Sequence, residues 1–225
     1  MIPWKLLHTA IIPHSDTQLH LYQRDQEFSL RVGVDELMNS RMHGSETALA
    51  ELTCTRFTSN PAPAILIGGL GMGFTVAAAL MHTTKKARIT VAELVPEVVE
   101  WNRGVLGHLA DYPLNDSRVT VCVQDVADMM KQHPEGYDAI LLDVDNGPEA
   151  MTHKENSWLY TQQGLTTAYA ALRPKGILSV WSAGPSVPFT KRLSKAGFRV
   201  QQTQISARGK RGGSKHIIWI ATRWH

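Results

Sequence analysis

The chain is poor in cysteine. Only Cys54 and Cys122 occur among 225 residues, far apart in sequence, so no disulfide framework can be drawn. No Cys-x-x-Cys exists, and no Cys/His pair has zinc-ligand spacing. The ten histidines are scattered, which predicts no metal centre. Together these absences point to a reducing, cytoplasmic setting. Long apolar runs are missing too. None approaches the ~20 residues needed to cross a bilayer, so no membrane association is expected. The opening stretch, MIPWKLLHTAIIPHSD, is interrupted by His8, Pro13 and His14 and lacks the charged-then-apolar order of a signal peptide. The Gly-x4-Gly-Lys-Ser/Thr signature is absent, which argues against a nucleoside triphosphate. Net charge is only +3, and the basic residues concentrate in ARGKRGGSKH, residues 207–216, without interleaved aromatics. That predicts a solvated hairpin tip, and no nucleic-acid partner is expected.

What is present suits a globular α/β protein: 43% hydrophobic and 19% charged residues. Residues 1–60 read as a small β-rich region. KLLHTAII, TQLHLYQRD and FSLRVGVD have strand character and are separated by turn-prone segments. SETALAELTCTRF follows with helical spacing of Ala48, Leu49, Leu52 and Phe57, and with Ser45 as a candidate N-cap. Residues 61–225 alternate strand and helix. The strands are AILIG, RITVAEL, RVTVCVQD, YDAILLD and GILSVWSA. The helices are FTVAAALMHT, PEVVEWNRGVLGHLA, VADMMKQH, QQGLTTAYAALR and VPFTKRLSKAG. FRVQQTQIS and KHIIWIATRW close the chain as an antiparallel hairpin. This order predicts a Rossmann-like, mostly parallel, doubly wound sheet.

Four strands of this sheet end in a glycine cluster or an acid. Gly69-x-Gly71-x-Gly73 lies between the first strand and its helix, where glycine allows tight turns and close ligand approach. Glu93 ends the second strand, twenty residues after Gly73, where a carboxylate can accept hydrogen bonds from ribose hydroxyls. Asp125 ends the third, placed for an adenine amino group or for capping the next helix. Asp143 ends the fourth, with Asp145 two residues on and the turn Asn146-Gly147-Pro148 behind it. The carboxyl edge of an open parallel sheet is where ligands bind. The spacing differs from the dinucleotide Gly-x-Gly-x-x-Gly, so a nucleoside without phosphates fits better: S-adenosylmethionine or a relative.

In order and spacing, ILIGGLGMG, VAELVPEVVEWNR, RVTVCVQDVADMM, YDAILLDVDNGP and LYTQQGL resemble the spermidine synthases, polyamine aminopropyltransferases with the class I methyltransferase fold. The resemblance covers roughly residues 37–181. It implies a transferase whose donor is decarboxylated S-adenosylmethionine and whose acceptor is a small amine, commonly assembled as a homodimer. It implies that Glu93 holds ribose, that Asp125 reads adenine, and that Asp143 is the base toward the attacking amine. By the same resemblance Asn146 and Glu46 face the polyamine, with His43 beside Glu46. Trp158, Tyr160 and Trp181 are candidate aromatic walls for a cationic amine.

Two departures bear on the chemistry. The family loop usually reads Gly-Gly-Gly-Asp-Gly-Gly, its aspartate holding the amino end of the donor; here Gly71 stands in that place. The family's Asp-Ser-Ser-Asp-Pro is replaced by Asp143-Val144-Asp145-Asn146-Gly147. Three readings therefore stand: an aminopropyltransferase-like enzyme, an S-adenosylmethionine-dependent methyltransferase of a small molecule, and a catalytically inactive nucleoside-binding relative. Many methyltransferases carry an acid where this chain has Ile67.

Overall fold

The computed structural model describes residues 2–57, 59–144, 148, 156–207 and 212–224. Four strands open the chain: β1 (Lys5–Ile11), β2 (Gln18–Arg24), β3 (Glu27–Val32) and β4 (Asp35–Asn39). They form an antiparallel sheet in chain order. The sequence pattern predicts three strands here. DELMN alternates too briefly to stand out, and β4 is defined by its pairing with β3, from Ser29 opposite Asn39 to Val32 opposite Asp35.

After α1 (Gly44–Cys54) comes the repeating part: β5 (Ala64–Gly68), α2 (Phe74–Met81), β6 (Arg88–Glu93), α3 (Pro96–Arg103), β7 (Val119–Val123), α4 (Val126–Gln132), β8 (Tyr137–Leu142), α5 (Gln162–Ala171), β9 (Leu172–Ser182) and α6 (Val187–Lys195). β10 (Phe198–Ser206) and β11 (Lys215–Arg223) complete a seven-stranded sheet of order β10-β11-β9-β8-β5-β6-β7. β9, β8, β5, β6 and β7 run parallel; β11 pairs antiparallel with β9 and β10. This is the expected doubly wound α/β architecture, with its terminal hairpin.

Side chains alternate across a strand, so a parallel sheet covered on both faces needs apolar residues at every position. Ile65, Ile67, Ala139 and Leu141 enter one core with Leu49 and Ala50 of α1, Val76 of α2 and Trp101 of α3. Leu66, Ile140 and Leu142 enter the other with Met130 of α4, Leu165 of α5 and Phe189 of α6. Leu19, Leu21, Phe28 and Leu30 of the N-terminal sheet join the first core, so the two sheets share apolar packing.

Three local readings are corrected. Ser45 does not cap α1: His43 holds that position, without a side-chain cap, and Ser45 is buried as the second residue of the helix. The helix from Pro96 stops at Arg103, where Gly104 leaves helical geometry (φ −110°, ψ −109°), and a 3-10 turn follows at Gly107–Ala110. α5 ends at Ala171, because Leu172 and Arg173 are taken into β9; Leu172 pairs with Tyr137 of β8.

The chain winds from β5 outward through β6 and β7, then returns to the far side of β5 as β8. The ends of β5 and β8 are thus adjacent at the point where winding reverses, the usual crevice of such sheets. Leu21 is fully buried in the shared core. Leu21→Ala should therefore lower stability by about 2–5 kcal/mol and shift one common unfolding transition, followed by urea denaturation with circular dichroism and tryptophan fluorescence. Loss of the N-terminal sheet signal alone would show that the shared core does not couple the two sheets.

Candidate active site

The glycine loop is the first part of the site. Gly69, Gly71 and Gly73 all lie at positive φ (88°, 53° and 81°). A β-carbon on Gly69 would stand 2.4 Å from the carbonyl oxygen of Asp143, so only glycine lets β5 and β8 end this close together. The loop is pinned from two sides. Leu70 N–H donates to Glu93 Oε2 at 2.9 Å, and Asn102 Nδ2–H of α3 donates to the Gly71 carbonyl at 2.8 Å.

Glu93 is 8% exposed. Its second oxygen accepts from Val95 N–H at 2.9 Å. Asp125 caps α4 by accepting from Ala127 N–H at 2.7 Å, and it also lines the cavity.

That cavity, of about 350 Å³, lies over the strand ends. Its floor includes Gly69, Gly71, Glu93, Asp125 and Asp143. Its opposite wall comes from the N-terminal sheet and its linkers: Ile12, Leu19, Leu30, Met38 and Met42. Trp181, Ser214 and His216 close another side. Among the described residues, the lining carries five carboxylates, of Glu36, Glu46, Glu93, Asp125 and Asp143, and neither Lys nor Arg.

Asp143 Oδ2 accepts from the Thr75 hydroxyl at 2.5 Å. Thr75 also reaches the Glu46 carbonyl at 3.3 Å, which ties the start of α2 to α1. Glu46, 7% exposed, accepts from Ser45 Oγ at 2.7 Å. Burial, only partly offset by the Thr75 hydrogen bond, pushes Asp143 up from 3.8 to about 6. Burial and the nearby Asp143 charge push Glu46 up from 4.5 to about 7, against the Ser45 bond. Such an acid pair gives up its second proton reluctantly.

The other expected site residues fall differently. His43 stacks on Phe74, ring centroids 4.1 Å apart, and is not part of the cavity wall. Trp158 lies outside it as well, with Lys131 Nζ 4.8 Å above its ring. Tyr160 is buried against Phe189, and its hydroxyl donates to the Val144 carbonyl at 3.1 Å, steadying the backbone after Asp143. Asp145 and Asn146 lie outside the described residues, as do residues 208–211 of the basic segment. Thr75, Met38, Gln124 and His216 are site residues that the sequence reading did not name. Only Thr75 had a local signal, a hydroxyl two residues after Gly73.

Gly71 is where the resemblance placed an acid. A β-carbon there would meet Met38 Sδ at 2.8 Å, so the thioether of β4 occupies the room a side chain at 71 would need.

With this geometry the comparisons fall into place. The Spermine/spermidine synthase domain matches residues 45–195, two-thirds of the chain. The chain belongs to the spermidine synthase family. Solved structures agree in fold. Spermidine synthase from Thermotoga maritima is 16% identical, with a TM-score of 0.74 over 97% of this chain and 73% of that one. A spermidine synthase in complex with the transition-state analogue AdoDATO is 15% identical, also at 0.74, over 97% and 72%. A probable spermidine synthase from Corynebacterium glutamicum is 14% identical at 0.66, over 97% and 79%. No curated protein matches by sequence.

The raised acid pair sets a pH dependence. Both groups hold protons more tightly folded than unfolded, so stability falls as pH rises from the ordinary 4.5 of Glu46 through about 7. Glu46→Gln removes its share. The variant should match the parent at pH 4 and exceed it at pH 8 by on the order of 1–3 kcal/mol, by urea unfolding at both pH values. An equal difference at both would sink the assignment of a strained Glu46.

Proposed function

We propose that this family member transfers an aminopropyl group from decarboxylated S-adenosylmethionine to a small amine. The observation that carries the reading is the cavity wall: five carboxylates and, among the described residues, no Lys or Arg. Such a wall attracts a sulfonium and an ammonium and opposes a donor bearing its own carboxylate. In this reading Glu93 accepts from the ribose hydroxyls, Asp125 from the adenine amino group, and the loop at Gly69, Gly71 and Gly73 runs beneath the donor. Asp143 binds the acceptor ammonium and takes its proton, with Asp145 as a second acid.

The chemistry follows from these roles. An ammonium has no lone pair and cannot attack carbon. A carboxylate whose affinity for protons is raised toward neutrality can accept the proton at working pH. The amine then displaces the sulfur in line: the nitrogen–carbon bond forms, the carbon–sulfur bond breaks, and its electron pair stays on a neutral thioether. Positioning both cations in one cavity supplies the rest. A homodimer in the cytoplasm is part of the same proposal.

Methyl transfer from S-adenosylmethionine is the second reading, favoured by one feature: Met38 and Gly71 leave no acid where the family anchors the donor's amino end. Calorimetric titration separates the two. Decarboxylated S-adenosylmethionine should bind at least ~10-fold more tightly than S-adenosylmethionine, and Glu93→Ala should abolish most of that affinity. The reverse preference would move the protein to methyl transfer; binding of neither would leave a non-catalytic relative. With the donor and an amine panel, Asp143→Asn should lose at least ~100-fold in kcat while donor affinity holds. Wild-type turnover in that variant would remove Asp143 as the base.

A further inference from the structure

Transfer to an ammonium leaves one proton over in every turnover. The carboxylates that would receive it sit in a cavity between two sheets. Beside them is a chain of hydrogen bonds that the reaction as described does not use. Ser45 Oγ lies 2.7 Å from Glu46 Oε2 and 2.8 Å from Nδ1 of His216, a residue 171 positions away on β11. Glu46 and Ser45 are buried, and His216 is partly exposed, so the chain runs from the interior outward. It is held firmly. Gly44 N–H at the start of α1 donates to the Ala207 carbonyl at 2.8 Å, fastening α1 to the terminal hairpin. Trp181 of β9 meets the imidazole edge to face, centroids 4.8 Å apart.

A serine hydroxyl has one hydrogen to give. With Glu46 ionised it points at the carboxylate, and the imidazole must present Nδ1–H to Ser45. With Glu46 protonated, the acid can donate to Ser45, and Ser45 to a bare Nδ1. The second arrangement holds one proton more than the first, and its ring is the Nε2–H tautomer.

We propose that Glu46, Ser45 and His216 form a proton relay, which carries the proton released by transfer from the acid pair to the partly exposed imidazole and on to water. Glu46 gives its proton to Ser45 Oγ as Ser45 gives its own to Nδ1. The imidazolium then loses Nε2–H to solvent, which restores the carboxylate and the hydroxyl and leaves the Nδ1–H tautomer; the partly exposed ring must then give Nδ1–H to water and take a proton on Nε2 before Ser45 can donate to it again. Burial lowers the pKa of His216, which favours that last release. From the packed elements the ring is faced by Ser45 and Glu46 of α1 and Trp181 of β9; on its own strand Lys215 is turned to Ser206 Oγ, 2.8 Å away. Asp143, Glu36, Glu93 and Asp125 are the other carboxylates of the cavity. His216 lies outside the segment matched by the family domain.

The relay's role in turnover rests on the transfer reading, but the relay is testable without it. Nitrogen-15 NMR of histidine-labelled full-length protein should show His216 as the Nδ1–H tautomer at pH 8. Its ring shifts should follow two protonation steps on acidification, its own and that of Glu46. Ser45→Ala should leave one step and the Nε2–H tautomer. A single step and the Nε2–H tautomer in the parent would overturn the relay. In turnover, His216→Asn keeps a donor at the Nδ1 position but cannot carry a proton; kcat should fall about tenfold with donor affinity unchanged, and added imidazole should restore part of the rate in His216→Ala. A parental kcat in His216→Asn would also overturn it. A parent protein that consumes no donor with any amine would count against the transfer reading, while the ring's tautomer would still decide the relay.

Discussion

The structure depends on holding five carboxylates in one cavity whose described lining carries neither Lys nor Arg. Four of them accept hydrogen bonds from neutral donors: Glu93 from the backbone of Leu70 and Val95, Asp125 from Ala127, Asp143 from Thr75, and Glu46 from Ser45. Glu36 differs in having Arg31 at 3.7 Å as well as Ser29 and Asn39. Neutral donors fix the position of a carboxylate but leave its charge largely uncancelled. A buried charge without a counter-ion either takes up a proton or waits for a cation to arrive. The upward shifts of Asp143 and Glu46 express the first alternative, and a cationic ligand would supply the second.

The same anchors tie the strand ends to one another. Glu93 bonds both to its own following turn and to the glycine loop, so the ends of β5 and β6 are set together. Thr75 links α2 to β8 and to α1. The winding reversal between β5 and β8 then brings the glycine loop against Asp143, at a contact so close that Gly69 has no substitute.

Much of this was legible in the sequence. Apolar runs ending in a glycine cluster or an acid name both the strands and the edge on which a ligand sits, because strand, turn and carboxylate are neighbours in the chain. What escaped notice depends on contacts between distant residues. Nothing local marks His216 as a partner of Ser45, or Met38 as the occupant of the space over Gly71. The apolar spacing around Trp101 and Leu106 read as one helix, whereas Gly104 breaks it and both side chains still reach the core. His43 and Trp158 carried the chemistry expected of site residues, but packing placed them elsewhere.

The cavity is also drawn from two parts of the chain. Its floor belongs to the strand–helix repeat within residues 45–195, the part shared with the family domain. Ile12, Leu19, Leu30, Met38 and Met42 on one wall, and Ser214 and His216 on another, are drawn from outside that span. Substitutions at Ile12, Leu19, Leu30 or Met42 reshape the chamber from the wall facing the strand ends, whereas Met38 also touches the glycine loop at Gly71. The shape of the chamber can therefore vary while the strand ends that form its floor stay the same.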